Sequence, residues 1–122
     1  MSSYRISLPF ATASLLALMA GSASAEDNYG AIAFSQRAGS YGYTYDYGSR
    51  ASAEQGALNN CGGSCSIVLW FKNACGALAT GGANGYGTGW AGTRRRAENI
   101  ARSNCQERTG GCSVLAWACT TR

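Results

Sequence analysis

Residues 48–70 read GSRASAEQGALNNCGGSCSIVLW, and residues 92–117 read GTRRRAENIARSNCQERTGGCSVLAW. The two segments align without a gap from their first glycine to their first cysteine, an interval of the same length in both. Upstream, the tetrapeptide GAIA at residues 30–33 is echoed by GALA at residues 76–79. Such self-similarity predicts two copies of one supersecondary unit that pack together.

Each copy follows the order strand, glycine-rich turn, strand, helix, strand. In the first copy, residues 31–35 form a short apolar run, and tyrosines alternate with other residues over 41–47, as in a strand with its rings on one face. The apolar runs 65–71 and 112–118 are too short for helices and are typical of central strands. The hairpin of the second copy, residues 81–90, contains more glycine, which weakens the prediction of a strand there.

The helices are predicted to begin after Ser49 and Thr93, whose hydroxyl groups can accept hydrogen bonds from the free backbone N–H groups of a first turn. They should run to about Asn60 and Asn104, with faces of small residues that lie close against a sheet. We therefore predict an α+β fold of two pseudo-symmetric ββαβ units. Its sheet is mostly antiparallel, both helices lie on one face of the sheet, and disulfide bonds cross-link the domain.

The N-terminus has the pattern of a secretory signal peptide. A short start containing Arg5 precedes an apolar run, and an Ala-x-Ala site ends the predicted signal at residues 1–25. Residues 26–122 then form one small domain, with its internal repeat at about 29–74 and 75–122. We expect no membrane span and a secreted or periplasmic location, with the choice between periplasm and medium left open.

All six cysteines follow the predicted cleavage site, which indicates disulfides in an oxidising compartment. One pairing keeps the internal symmetry best. In it, a bridge closes the loop after the helix in each copy, and a third bridge joins the two cysteines that only the second copy contains. Its bridges are Cys61–Cys65, Cys105–Cys112 and Cys75–Cys119. A symmetric alternative crosses the copies and joins Cys61 to Cys112 and Cys65 to Cys105; the sequence leaves both open.

Composition excludes several kinds of chemistry. The chain has no histidine, which removes the usual base of a serine or cysteine nucleophile and the usual metal ligand, so no metal and no cofactor are expected. The ten basic residues include Arg5, so nine basic and six acidic residues leave a net charge of +3 beyond the signal. That modest charge on an exported chain does not predict a nucleic-acid partner.

Several stretches taken together resemble an exported bacterial family, the domain of unknown function numbered 4189. They are GAIA at 30–33, the aromatic-glycine strand before Ala53, the strand 65–70, CGALA at 75–79 and AWAC at 116–119. The resemblance covers nearly the whole chain after the signal. It implies export and a small disulfide-bearing domain, and it carries no catalytic residue onto this sequence.

Glu54 and Glu98 are equivalent by the repeat, and a two-fold arrangement could bring them together as a general acid and base. Alternatively, each carboxylate is favoured near the positive end of its helix, and Glu98 pairs with Arg102 four residues on. The first interpretation predicts a small hydrolase, and the second assigns these residues to helix stability.

Three arginines, Arg94, Arg95 and Arg96, follow Thr93 at the start of the second helix, where cations oppose the helix dipole. With the free N–H groups there they could form a site for phosphate or carboxylate. The alternative is a solvated basic turn whose long side chains cover apolar surface.

The aromatic hairpins are the third candidate site. If they face solvent, they form a platform for sugar rings or for a protein partner; if they face inward, they are the bulky half of a core opposite the small-residue helix faces. The residues are Tyr41, Tyr43, Tyr45, Tyr47, Tyr86 and Trp90.

From these features we expect a non-enzymatic envelope or extracellular binding module. Its partner would be an anionic envelope component, a glycan or another protein. The alternatives are a small carboxylate-dependent hydrolase that uses Glu54 and Glu98, or a secreted effector or inhibitor that acts by protein contact.

Overall fold

The computed structural model describes residues 28–121. The predicted signal peptide at residues 1–25 lies outside this range. Six strands and two α-helices follow in the order β1 (Tyr29–Phe34), β2 (Tyr41–Tyr47), α1 (Arg50–Cys61), β3 (Ser66–Lys72), β4 (Cys75–Thr80), β5 (Tyr86–Ala91), α2 (Arg94–Gln106) and β6 (Ser113–Cys119). A short 3₁₀ segment, Gly82–Asn84, precedes β5.

The two predicted ββαβ units are confirmed, and all of their strand pairing is antiparallel. The strands are divided between two three-stranded sheets with the orders β2-β1-β3 and β5-β4-β6 rather than joined in one sheet. The first strand of each unit is therefore the central strand of its own sheet. Each helix covers one face of the sheet of its own unit.

The central strands sort their side chains by size, which explains this layering. Ala31 and Ala33 of β1 pack on the alanines of α1, and Ala77 and Ala79 of β4 pack on those of α2. The larger residues on the opposite faces of both strands, together with Phe71, form a third buried cluster between the sheets. The order of layers is therefore helix, sheet, sheet, helix, with β2 beside β6 and β3 beside β5.

Glycine allows each helix to approach its edge strand closely. A Cβ atom added to Gly42 would lie 2.4 Å from the backbone nitrogen of Cys61, and one added to Gly87 would lie 2.2 Å from that of Cys105. Gly89 faces the backbone of α2 in the same way, so the two glycines inside the second strand of this hairpin, Gly87 and Gly89, are required by helix packing. No helix in residues 28–121 is long and apolar enough to cross a bilayer.

The ends of the elements match the predicted chemistry. The Ser49 hydroxyl accepts a hydrogen bond from the backbone N–H of Ser52, and the Thr93 hydroxyl accepts one from that of Arg96. All three bridges of the symmetric local pairing are present, and the crossed alternative is not formed: Cys61–Cys65, Cys75–Cys119 and Cys105–Cys112. The disulfides therefore repeat with the units, apart from the one that belongs to the second unit alone.

Candidate functional site

Each helix begins with an arginine that holds the glutamate one turn later. Arg50 Nε donates to Glu54 Oε2 at 2.8 Å, and Arg94 Nε donates to Glu98 Oε2 at the same distance. The expected pairing of Glu98 with Arg102 is wrong, because Arg102 Nη2 donates to Asn99 Oδ1 instead. The two glutamates lie on helices that cover different sheets, so they do not meet as a catalytic pair.

The same two arginines stack on tryptophans. The Cζ atom of Arg50 lies 4.4 Å from the ring centroid of Trp70 in β3, and that of Arg94 lies 3.7 Å from the centroid of Trp117 in β6. A guanidinium over an indole face is attracted by the negative face of the ring. Two equivalent Trp–Arg–Glu clusters result: Trp70–Arg50–Glu54 in the first unit and Trp117–Arg94–Glu98 in the second.

Sequence reasoning missed Arg50, Trp70 and Trp117 as candidate site residues. The signal was present in the alignment of the two copies, where an arginine, a glutamate four residues later and a distant tryptophan recur together. Because about 20 residues of sequence separate each arginine from its tryptophan, only the fold shows that they touch.

The rest of the predicted arginine turn is exposed. Within residues 28–121, Arg95 and Arg96 make no ion pair, and the first turn of α2 contains no acidic residue. Thr93 is engaged in capping its own helix. The turn therefore presents two cations to solvent, next to a third that is fixed by Glu98 and Trp117.

The tyrosine stripe of β2 is interrupted. Register with β1 shifts between Tyr29 and Ala31, and the extra residue on β2 lies near Asp46, whose φ is 61°. The bulge turns Tyr47 to the helix side, where its ring packs against Gly56 of α1. The prediction that all four rings share one face is therefore wrong for Tyr47.

Tyr41, Tyr43 and Tyr45 point away from α1 but do not form a buried core. Between 39% and 46% of the surface of each is exposed, because β2 is an edge strand that pairs only with β1 in its sheet and contacts β6 of the other sheet. The interpretation of these rings as the bulky half of the core is wrong. The large residues that do fill the space between the sheets come mostly from β1, β3 and β4.

These tyrosines line a groove of about 490 Å³ between β2 and β6. Its other wall consists of residues 115–119, which include Trp117. At one end the carboxylate of Asp46 accepts hydrogen bonds from the backbone N–H and the hydroxyl of Thr121. We call this cleft the β2/β6 groove.

A second groove of about 380 Å³ lies between β3 and β5, the strands that correspond to β6 and β2 in the other unit. Residues 68–72, including Trp70, line one wall, and Trp90 lines the other. Among the large aromatic residues of 28–121, Trp90 is the most exposed, at 61%. We call this cleft the β3/β5 groove.

Tyr86 does not join Trp90 in a single aromatic platform. Its ring meets Phe34 edge to face, with centroids 5.4 Å apart, and the guanidinium of Arg108 lies 5.6 Å from its centroid. In residues 28–121 every cysteine is bridged, and no group of three or more His, Cys, Asp or Glu side chains is placed so that it could hold a metal ion.

Comparison with known proteins places this geometry in a family. A family model described as "Domain of unknown function (DUF4189)" matches residues 29–119. Protein Rv1269c of Mycobacterium tuberculosis is 40% identical over 97 residues, which cover 80% of this chain and 73% of that protein. The uncharacterized protein Rv1813c of the same organism is 39% identical over 93 residues, which cover 75% of this chain and 60% of the relative.

A solved structure agrees with this assignment. The NMR structure of Rv1813c superposes with a TM-score of 0.59 and covers 94% of this chain and 98% of that one. In that structural alignment 28% of the residues are identical. The chain therefore shares both sequence and fold with these mycobacterial proteins.

Proposed function

We propose, from the premise that the chain belongs to the DUF4189 family, that this protein is a non-enzymatic binding module outside the cytoplasm and that it binds an anionic component of the cell envelope. Three disulfides in so small a domain support a location in an oxidising compartment. The predicted signal peptide supports export but lies outside the described residues.

One observation carries the proposal: each unit places a Trp–Arg–Glu cluster beside an aromatic groove. Arg94 contacts Trp117, which lines the β2/β6 groove, and Arg95 and Arg96 follow Arg94 in the same helical turn as two exposed cations. Aromatic side chains and arginine contribute a large share of the binding energy at protein interfaces. The surface therefore combines charge with stacking area.

A carboxylate-dependent hydrolase has less support. Glu54 and Glu98 each form an ion pair with the arginine of the same helix, and the two helices cover different sheets, so the two carboxylates do not face one substrate together. Loss of a measured turnover on Glu98→Gln would be the minimum needed to revive this alternative.

A second candidate function is an effector or inhibitor that acts by contact with another protein. The exposure of Tyr41, Tyr43 and Tyr45 favours it, because exposed tyrosines are enriched at protein interfaces. The two candidates differ in their salt dependence, since retention by charge weakens as ionic strength rises and contact through aromatic rings does not.

Retention of the purified protein on isolated envelope material, measured over a series of salt concentrations, tests the proposal. We expect Arg94→Ala combined with Arg95→Ala and Arg96→Ala to leave folding intact and to weaken retention. A control with Arg37→Ala, Arg102→Ala and Arg108→Ala removes the same charge elsewhere and should retain nearly wild-type binding. Equal retention of the wild type and the first triple variant would sink the proposal.

A further inference from the structure

We infer that the ligand is an acidic glycan and that the protein has two equivalent sites for it, one in each unit. The first site combines the Trp70–Arg50–Glu54 cluster with the β3/β5 groove, and the second combines the Trp117–Arg94–Glu98 cluster with the β2/β6 groove. This inference rests on the proposed binding function and adds a site in the first unit and the chemical class of the ligand.

The arginine of each cluster is held in place but keeps free donors. Nε is bonded to glutamate and the guanidinium plane lies against indole, while about half of each arginine side chain is exposed, 53% for Arg50 and 52% for Arg94. No other group in residues 28–121 forms a hydrogen bond with either guanidinium. The terminal Nη atoms are thus oriented in advance for a carboxylate or phosphate, which a guanidinium binds through two parallel hydrogen bonds.

The grooves supply the surface for a sugar. A sugar ring has an apolar C–H face and a rim of hydroxyl groups, so it fits against aromatic faces whose edges carry polar atoms. The β2/β6 groove offers Tyr41, Tyr43 and Tyr45, and the β3/β5 groove offers Trp90. Both volumes fall in the range of small-ligand sites, roughly 300–1,000 Å³.

The acidic glycan is the ligand class that uses both parts of each site. A free small anion would engage the arginine and leave the aromatic groove empty, whereas a neutral glycan would leave the guanidinium without a partner. The net charge of +3 beyond the predicted signal complements a polyanion. A repeating acidic polymer also explains why one chain would need the same site twice.

The two sites should differ in affinity. Arg94 is followed by Arg95 and Arg96, whereas Arg50 is followed by Ala51 and Ser52. Two extra exposed cations adjoin the second site, whereas the wall of the β3/β5 groove at the first site contains one, Lys72, so the attraction for an anion is stronger at the second site. We expect the second site to fill first during a titration.

The three tryptophans of the chain provide the readout, because each indole N–H gives its own NMR signal. The probe is a tetramer of galacturonic acid, and its fully methyl-esterified form is the uncharged control. We expect the acidic tetramer to shift the Trp117 signal first and the Trp70 and Trp90 signals at higher concentration. The esterified tetramer should bind at least tenfold more weakly.

Single substitutions separate the sites. Arg94→Gln should abolish the Trp117 shift and spare Trp70 and Trp90, and Arg50→Gln should do the reverse. Each should weaken its own site roughly ten- to hundredfold, the usual effect of losing a charge-assisted hydrogen bond. Arg102→Gln removes the same charge from the exposed face of α2 and should leave both sites unchanged.

The outcomes distinguish this inference from the proposed function. If only the Trp117 signal responds, or Arg50→Gln changes nothing, the inference of a site at the Trp70–Arg50–Glu54 cluster is overturned while envelope binding stands. If the esterified tetramer or a hexamer of glutamate binds as tightly as the acidic tetramer, the assignment to an acidic glycan is wrong. If no signal moves but wild-type retention on envelope material remains salt-sensitive, the assignment to an acidic glycan is wrong and the proposed envelope binding still holds. If the wild type is not retained on envelope material either, both the ligand class and the proposed function are wrong.

Discussion

Replacing Cys75 and Cys119 by alanine should destabilise the protein about twice as much as replacing either of the other disulfide pairs. The three bridges differ in the length of chain that they close: the sequence separations are 44, 7 and 4 residues. A bridge restricts the unfolded chain more strongly when it closes a longer loop. The Cys75–Cys119 bridge ties the start of β4 to the end of β6 and so encloses the whole second unit.

The loop-closure relation gives the magnitudes. It predicts a loss of about 4 kcal/mol for the pair Cys75→Ala and Cys119→Ala, and about 2 kcal/mol for each of the two local pairs. A domain of this size is stable by roughly 5–15 kcal/mol, so the first loss is a large share of the total. The difference of about 2 kcal/mol between variants corresponds to roughly 10 °C in Tm.

Urea denaturation of the three double-alanine variants, followed by tryptophan fluorescence, measures these losses. The variants are matched, because each removes the two sulfur atoms of one bridge and leaves the other two bridges intact. Equal losses in all three, or a larger loss for the Cys61 and Cys65 pair, would contradict the loop-length reasoning. Strain or residual structure in the unfolded state would then dominate the effect of the bridges.

Three further predictions concern packing in the two units and the exposed edge of one sheet. Gly87→Ala should cost about 1–3 kcal/mol in chemical denaturation because its Cβ would collide with the backbone of α2, whereas Gly92→Ala, with no atom within 4 Å, should be nearly neutral. Leu78→Ala should cost about 2–5 kcal/mol by the same measurement, since Leu78 is fully buried between the sheets. Asn104→Ala removes the side-chain amide that donates to the Thr88 carbonyl at 2.7 Å, and so exposes that carbonyl of edge strand β5 to pairing with a strand of another chain. Analytical ultracentrifugation should therefore detect increased self-association. A strictly monomeric variant would refute the idea that Asn104 protects this edge.

Local chemistry explains why so much of the fold could be predicted. The helix starts follow from Ser49 and Thr93, whose hydroxyls satisfy backbone N–H groups in the first turn. The local disulfides follow from equal positions in two copies, since equivalent residues of a repeat occupy equivalent places. Each of these inferences depends on residues close together in the chain or on the repeat itself.

The predictions that proved wrong depend on an unusual backbone conformation or on contacts between residues that are distant in sequence. The twofold period of the tyrosine stripe contains no sign of the bulge at Asp46, which depends on a backbone conformation that few residues adopt. The predicted partner of Glu98 was Arg102, but Arg94 also lies four residues away, on the other side. Stacking on Trp117 holds Arg94 in place, and that contact depends on the docking of α2 against β6.

The two Trp–Arg–Glu clusters contribute little to the stability of the fold. An exposed ion pair and an exposed cation–π contact each contribute only about 0.5–1 kcal/mol. The units differ elsewhere: one hairpin is rich in tyrosine and the other in glycine, and the disulfide loops after the helices have different lengths. Both units nevertheless carry the same arginine, glutamate and tryptophan in contact. A weakly stabilising arrangement with half-exposed arginines that occurs twice is best explained by what its oriented guanidinium groups bind.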